Sequence, residues 1–154
     1  AAGSAYRVAS GHEPPRRMVR AMHHAATVRA VFGPEWADPE ALATSDYHFT
    51  NPYALHIFGD SIEFTEAMTR GALANYTSAF SGIRWEEHSV IVDGDRAGCH
   101  FTMHATHSGP WQGIEATGRS ITAERMVFFR FEGDLIAEAW ELIDPHAIKA
   151  QITD

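Results

Sequence analysis

The fold is indicated most clearly by residues 119–144, RSITAERMVFFRFEGDLIAEAWELID. Two runs rich in β-branched and aromatic residues flank the turn Glu132-Gly133-Asp134, which is the pattern of a β-hairpin. A second pair of such runs, within residues 83–109, surrounds Asp93-Gly94. The C-terminal half of the chain is therefore predicted to form antiparallel strands.

Strand alternation divides the acids of the last strand between two faces. One face carries Leu135, Ala137, Ala139, Glu141 and Ile143, and the other carries Ile136, Glu138, Trp140, Leu142 and Asp144. The alanines beside Glu141 leave room for a ligand, and burial there raises the pKa of a carboxyl group toward useful acid–base strength. The alternative is that Glu141 is a surface or salt-bridged residue, and alternation does not decide between the two.

Helical patterns precede the strands. Residues 1–15 are polar and turn-prone and are predicted to be a loose leader. A helix is predicted from Pro14-Pro15 to Gly33-Pro34, a short helix at residues 39–43, and a strand over residues 46–52. A further helix is predicted to open at Asp60 and to run toward Phe80. The apolar positions of the first helix are Met18, Met22, Ala25, Val28 and Phe32.

Helices followed by antiparallel strands indicate an α+β domain over residues 16–154, with the helices on one face of a curved sheet. The formal net charge of −8 argues against nucleic acid and anionic membranes as partners. No apolar run approaches the roughly 20 residues of a transmembrane helix. The single cysteine, Cys99, excludes an internal disulfide and suits a reducing compartment, so a cytoplasmic location is expected.

The histidines do not predict a metal site. His100 and His104 are four residues apart, which on a strand is about 13 Å and too far for one ion. His107 would point to the opposite face. Because the chain also lacks HExxH, GxGxxG and P-loop patterns, we expect neither a metal nor a nucleotide cofactor.

Residues 106–144 resemble the C-terminal half of the SnoaL-like polyketide cyclases, a family of the nuclear transport factor 2-like superfamily. The residues that carry the resemblance are His107, Gly109, Trp111, Gly113, Thr117-Gly118-Arg119, Gly133, Ile136, Glu138, Trp140, Glu141 and Asp144. The resemblance covers about residues 16–153. It implies a cone, in which N-terminal helices cover the concave face of a curved antiparallel or mixed sheet around an apolar cavity.

The resemblance also implies roles for single residues. Glu141 falls where the cyclases keep their acid, whereas Val127 falls where relatives have a histidine or aspartate that exchanges or donates a proton. Asn51 replaces the aspartate base of the ketosteroid isomerases, and an amide is not a base at neutral pH. Arg125 should share the face of Val127 and pair with Glu141, either as an oxyanion donor or as a structural salt bridge.

The remaining positions complete the expected pocket. His107 is a catalytic candidate or a cap of the strand end, and His104 and His107 cannot both face the cavity. Trp36 lines the pocket or, like Trp85 and Trp111, belongs to the core or rim. Trp140, on the outward face, is expected to pack against a second subunit in a homodimer formed through the sheet. The residues expected to bind substrate are Tyr47, Phe49, His104, Val127 and Trp36.

The leading hypothesis is a cofactor-independent enzyme for an apolar carbonyl compound. Glu141 would remove a proton α to the carbonyl, and Arg125 with Asn51 would stabilise the enolate for cyclisation, isomerisation or dehydration. An alternative is epoxide or ester hydrolysis, with Glu141 and Asn51 activating water. A non-catalytic protein that binds a hydrophobic small molecule is the rival from another class, and there Glu141 and Arg125 would form a closed salt bridge.

Overall fold

The computed structural model of the chain describes residues 15–33, 42–50 and 74–153. The described elements are α1 (Arg16–Val31), β1 (Ala43–Thr50), α2 (residues 74–79), β2 (Phe80–Asp93), β3 (Arg96–His107), β4 (Ser120–Glu132), β5 (Leu135–Ile143) and α3 (Pro145–Thr153). Helices and a curved five-stranded sheet together confirm the α+β prediction. None of the helices in these three ranges has the length and apolar character needed to cross a membrane.

The strands are ordered β1-β5-β4-β3-β2 in one mixed sheet. β1 runs parallel to β5, and the other neighbours are antiparallel. Gly94 and Gly133 occupy the two predicted hairpin turns, each with a φ of 62°. That left-handed conformation is open to glycine without steric cost, which explains why these two turns could be predicted from the sequence.

The first helix forms where the sequence predicts it, but only part of its apolar spacing is buried. His24, Val28 and Phe32 are buried, whereas Met18 and Met22 are exposed. At about 100° per residue, Met22 lies about 120° around the helix axis from Val28, so the predicted apolar positions drift off one face. Met18 and Met22, although they belong to the apolar spacing that predicts the helix, therefore lie off its buried face.

One face of the sheet, here called the inner face, packs against α1 and α3 in two apolar clusters. The first cluster joins Val28 and Phe32 of α1 to side chains such as Phe101, Val127 and Phe129. The second joins Ile148 and Ile152 of α3 to the other end of the same strands. Its sheet members include Met103, Ala105, Ile121, Ala123 and Ile143. The opposite, outer face of the sheet carries Phe128 and Trp140, which are exposed.

A β-bulge near the start of β5 changes the predicted alternation. Arg130 pairs with Glu138 but Phe131 pairs with Ile136, so Ala137 is an extra residue in β5. As a result Ile136 is buried in the first cluster and Leu135 is exposed, the reverse of their predicted faces. From Glu138 to Ile143 the alternation holds, with Ala139, Glu141 and Ile143 buried.

The terminal helix α3 was not predicted. Asp144 Oδ1 accepts hydrogen bonds from the backbone N–H groups of His146 at 2.9 Å and Ala147 at 3.2 Å. Asp144 followed by Pro145 is thus an N-cap with proline at the first helical position, a signal that the sequence carried. Residues 74–79 are helical as predicted, whereas the leader, nearly all of the short helix at 39–43 and the opening of a helix at Asp60 lie outside the described residues.

His24 connects α1 to both hairpin turns. Its Nδ1 lies 3.1 Å from the Gly94 carbonyl oxygen and its Nε2 lies 2.9 Å from the Gly133 carbonyl oxygen. The ring is fully buried and stacks on Phe131 with centroids 4.0 Å apart. Both partners are carbonyl oxygens, which accept hydrogen bonds, so the two ring nitrogens of His24 link α1 to the two turns.

Replacing His24 by phenylalanine should keep the stacking on Phe131 but leave both turn carbonyls without their side-chain donor. We expect His24→Phe to lower the free energy of unfolding by about 2 kcal/mol, since each net hydrogen bond contributes about 1 kcal/mol. Urea denaturation followed by circular dichroism measures this change. The exposed neighbour provides the control, and His23→Phe should change stability by less than about 0.5 kcal/mol. Equal effects of both variants would contradict this role of His24.

Candidate active site

Arg125 and Glu141 form a buried ion pair on the inner face. Arg125 lies on β4 opposite Ile143, and Glu141 lies on β5 opposite Val127, so the two charged residues are diagonal neighbours on one face. Arg125 Nη2 contacts Glu141 Oε1, with side-chain exposures of only 12% and 6%. The strand register therefore places Arg125 and Glu141 on one face of the sheet, which is the placement that alternation predicts.

The ion pair lies where the two apolar clusters meet. On β4, Ala123 belongs to the second cluster and Val127 to the first, with Arg125 between them. Trp85 of β2 packs against both clusters, and the Arg125 guanidinium carbon lies 5.2 Å from its ring centroid. A charged pair at this junction interrupts the two apolar clusters, and buried ionisable groups in such surroundings are candidates for a functional site.

Burial shifts the acid–base behaviour of the groups near the pair. Desolvation lowers the pKa of Arg125 to about 10, so the guanidinium stays charged at neutral pH. Desolvation raises the pKa of the Tyr47 and Tyr76 phenols, and the charge of Arg125 opposes the rise in both. Desolvation likewise raises the pKa of the Cys99 thiol to about 11, which keeps this thiol protonated and poorly nucleophilic.

These groups can act together on a carbonyl compound. A guanidinium in contact favours the ionised form of the Glu141 carboxylate, which is the form that accepts a proton. Arg125 and the protonated phenols of Tyr47 and Tyr76 are hydrogen-bond donors in a weakly solvated environment. Such donors stabilise negative charge that develops on oxygen.

The other predicted pocket residues are only partly brought together. Tyr47 and Phe49 pack against the first cluster, and Val127 lies opposite Glu141 as a purely apolar surface. Asn51 and Trp36 lie outside the described residues. Trp85 and Tyr76 were not assigned to the site from the sequence, because nothing local in β2 or α2 indicates that they lie near Arg125.

His107 lies far from the ion pair. Arg125 pairs with Phe101, and six further residues along β3 put His107 about 20 Å away along the strand. Its Nδ1 accepts a hydrogen bond from the Thr117 backbone N–H at 3.3 Å and lies 3.0 Å from the Thr117 hydroxyl. The ring therefore carries its proton on Nε2 and holds residues 117–119 at the strand end. His107 therefore lies where a residue that caps the end of the strand would lie, and it does not lie beside Glu141.

His104 is on the outer face, so its assignment to the pocket was wrong. It lies opposite Arg84 of β2, and its Nε2 is 2.9 Å from Glu86 Oε2. Met103 and Ala105, its neighbours in β3, are the residues that point inward. Strand alternation in β3 is regular, so the odd-numbered positions, including His107, take the inner face.

The outer face carries an apolar surface of its own. Phe128, Ile91 and Trp140 are exposed by 65%, 68% and 40%. They line an open depression with a volume of about 530 Å³ together with Asp93, Arg96, Ala97, Gly98 and Phe129. Met126 and Leu142 extend the exposed apolar area along β4 and β5.

This architecture defines a class of proteins with a curved sheet, helices on its inner face and a polar centre enclosed there. The sequence profile of the SnoaL-like polyketide cyclases matches residues 34–152, and the chain belongs to that family. No curated protein sequence matches the chain.

Solved structures show the same fold. A candidate SnoaL-like polyketide cyclase from Jannaschia sp. CCS1 is 15% identical, with a TM-score of 0.73 over 93% of this chain and 98% of the other. AclR, a candidate hydroxylase from Streptomyces galilaeus, is 18% identical, with a TM-score of 0.73 over 88% and 96%. IdmH, a candidate polyketide cyclase from Streptomyces antibioticus, is 18% identical, with a TM-score of 0.70 over 85% and 99%.

Removing one partner of the ion pair should leave the other charge buried and uncompensated. We expect Arg125→Met to lower the free energy of unfolding by about 3–5 kcal/mol, and the double variant Arg125→Met/Glu141→Leu to recover most of that loss. Chemical denaturation of the three proteins measures both effects. A cost below about 1 kcal/mol for the single variant would mean that the pair behaves like a solvent-screened surface pair.

Proposed function

We propose that the chain is a cofactor-independent, cyclase-like enzyme that acts on an apolar carbonyl compound through an enolate. The observation that carries this proposal is the buried Glu141–Arg125 ion pair at the junction of two apolar clusters. Membership of the SnoaL-like polyketide cyclase family supports the same class of activity. The apolar surroundings favour a hydrophobic substrate, and the ion pair supplies both a proton acceptor and an oxyanion donor.

In the proposed reaction the resting ion pair opens as the substrate enters. The carbonyl oxygen of the substrate takes over hydrogen bonds from Arg125, which frees a lone pair of the Glu141 carboxylate. Glu141 then accepts the proton α to the carbonyl, and the electrons of the broken C–H bond become the enolate. Arg125, with the Tyr47 phenol as a second donor, stabilises the enolate oxygen.

Ring closure completes the reaction without any further reagent. The enolate carbon attacks a second carbonyl of the same molecule, a C–C bond forms, and the resulting alkoxide takes the proton back from Glu141. Isomerisation or dehydration would begin from the same enolate. Asn51, predicted from the sequence to assist Arg125, remains a prediction because it lies outside the described residues.

A second candidate function is non-catalytic binding of a hydrophobic small molecule. Two observations favour it: Val127, directly opposite Glu141, has no proton or hydrogen bond to offer, and the Glu141 carboxylate contacts Arg125 closely. That closed arrangement is what the binding alternative predicts from the sequence. Epoxide or ester hydrolysis through the same residues is a third possibility, in which oxygen-18 from solvent would enter the product.

Proton exchange distinguishes catalysis from binding before the natural substrate is known. In D₂O, the enzyme should speed deuterium incorporation at the carbon α to the carbonyl of hydrophobic bicyclic ketones and β-keto esters. Proton NMR measures the rate of this exchange. We expect Glu141→Gln to slow this exchange by about 100-fold or more, since a positioned general base contributes about 10²–10⁴-fold.

Glu138→Gln is the matched control for that experiment. Glu138 lies three residues away on the outer face, where it pairs with Arg130, and its substitution should leave exchange unchanged. Because Glu141→Gln leaves Arg125 without its carboxylate, circular dichroism and denaturation must first show that the variant is folded. Ligand binding without exchange by the folded parent protein would favour the non-catalytic candidate instead.

We also propose that two copies of the chain associate through the outer face of the sheet. The exposed area formed by Phe128, Trp140, Met126, Leu142 and Ile91 supports this, since apolar patches of this kind usually mark contact sites. The outer face of one sheet can meet the same face of a second copy about a two-fold axis.

Sedimentation velocity tests the proposed homodimer. The parent protein should sediment as a dimer, and Phe128→Lys should shift it to a monomer by placing a charge at the centre of the contact. Met22→Lys, which alters an exposed methionine on α1 away from this face, should leave the dimer intact. A monomeric parent protein at high concentration would contradict the proposal.

A further inference from the structure

We propose that the outer face of the sheet binds a Zn²⁺ ion through His88, His100 and Glu124. These residues come from β2, β3 and β4, and each offers a ligand atom within 4.8 Å of those of the other two. The cluster lies on the face opposite Glu141, so the proposal does not depend on the proposed reaction. The sequence did not indicate it, because spacing within β3 alone places His100 and His104 too far apart.

Strand register brings the three side chains together. Thr102 pairs with Glu124 of β4 and with Glu86 of β2, and His100 lies one step further along the same face of β3. Between Glu87, which pairs with Phe101, and Ser89, which pairs with His100, β2 contains an extra residue, His88. This β-bulge places both His88 and Ser89 opposite His100, and bulges commonly redirect a side chain in this way. The His88 and His100 rings consequently lie with centroids 4.5 Å apart.

Hydrogen bonds already orient the three groups. His88 Nε2 lies 2.7 Å from Thr102 Oγ1, and the Thr102 hydroxyl donates to Glu124 Oε1 at 3.0 Å. His100 Nε2 contacts Glu124 Oε2. Thr102 is itself buried and fixes the carboxylate from below, whereas His88 and Glu124 are exposed and His100 is half-buried. Such outer hydrogen bonds to ligand groups are a regular feature of metal sites.

The donor set favours zinc over the alkaline-earth ions. Two imidazole nitrogens and one carboxylate oxygen suit Zn²⁺, whereas Mg²⁺ and Ca²⁺ require mostly oxygen ligands. Zinc bonds of about 2.0–2.2 Å in a tetrahedral arrangement place ligand atoms about 3.3 Å apart. Small rotations of these half-exposed side chains are enough to reach that spacing. Binding replaces the His100–Glu124 contact by two bonds to the ion.

Three protein ligands leave one tetrahedral position open toward solvent. A water molecule or a group from outside the chain can fill it, as in zinc sites with three protein ligands generally. The neighbouring Glu86 carboxylate adds negative charge to the same face, which favours a cation there.

Isothermal titration with ZnCl₂ tests the site in the full chain after treatment with EDTA and dialysis. We expect saturable binding of one Zn²⁺ per chain, and none of Mg²⁺ under the same conditions. His88→Ala and Glu124→Gln should each weaken zinc binding by at least about tenfold, and Thr102→Val by about 10- to 100-fold through loss of orientation.

His104→Ala is the matched control, because His104 and Glu86 form a histidine–carboxylate pair on the same face with no third ligand group beside it among the described residues. It should leave the zinc affinity within about twofold of the parent protein. Equal losses in His104→Ala and His88→Ala, or no saturable binding, would overturn the proposal. If a variant does not fold, anomalous diffraction at the zinc edge from crystals of the parent protein decides the matter. A peak among His88, His100 and Glu124 supports the site, and a peak elsewhere or none overturns it.

Discussion

The buried contact between Arg125 and Glu141 is the interaction on which the inner face of this protein depends. Two charges in an apolar environment are tolerated only when each compensates the other, so β4 and β5 must keep the register that brings them into contact. The pair also separates the two apolar clusters, one beneath α1 and the other beneath α3. A uniformly apolar strand pair would have closed this junction, and the fold would have had no polar centre there.

The same pair limits what chemistry the site can perform. Among the described residues beside the pair, Val127 offers neither a proton nor a hydrogen bond, so in the proposed reaction Glu141 exchanges the proton and Arg125 with the nearby phenols stabilises the charge. A carboxylate in contact with a guanidinium is a weak base until the substrate competes for that guanidinium. Family membership fixes the fold and a cyclase-like class, while the solved relatives, at 15–18% identity, support the fold alone.

Local signals in the sequence account for most of the architecture. Glycines at positions 94 and 133 predicted both hairpins, and alternation placed Glu141, Ala139 and Ile143 on one face of β5. Arg125 could be assigned to the same face because β4 alternates regularly. These features depend on a two-residue period and on turn chemistry, which are properties of short segments and can be derived without tertiary information.

The sequence-based predictions failed where a β-bulge interrupts the two-residue alternation of a strand. The bulge at Ala137 turned Ile136 inward, and the bulge at His88 brought that histidine beside His100, although neither strand signals an extra residue. The helix α3 was missed for a different reason, since Asp144-Pro145 is a helix start that the strand pattern obscured. The packing of Arg125 over Trp85 and its electrostatic effect on Tyr76 join distant segments, and no single segment could predict them.

A crystal structure of the protein with a bound hydrophobic ketone tests most directly whether the ion pair is the functional centre. We expect the ketone oxygen to lie within hydrogen-bond distance of an Arg125 nitrogen, with a Glu141 carboxylate oxygen near the α-carbon. A ketone bound away from the inner face, or bound there with Arg125 and Glu141 still in closed contact and no bond to its oxygen, would contradict it.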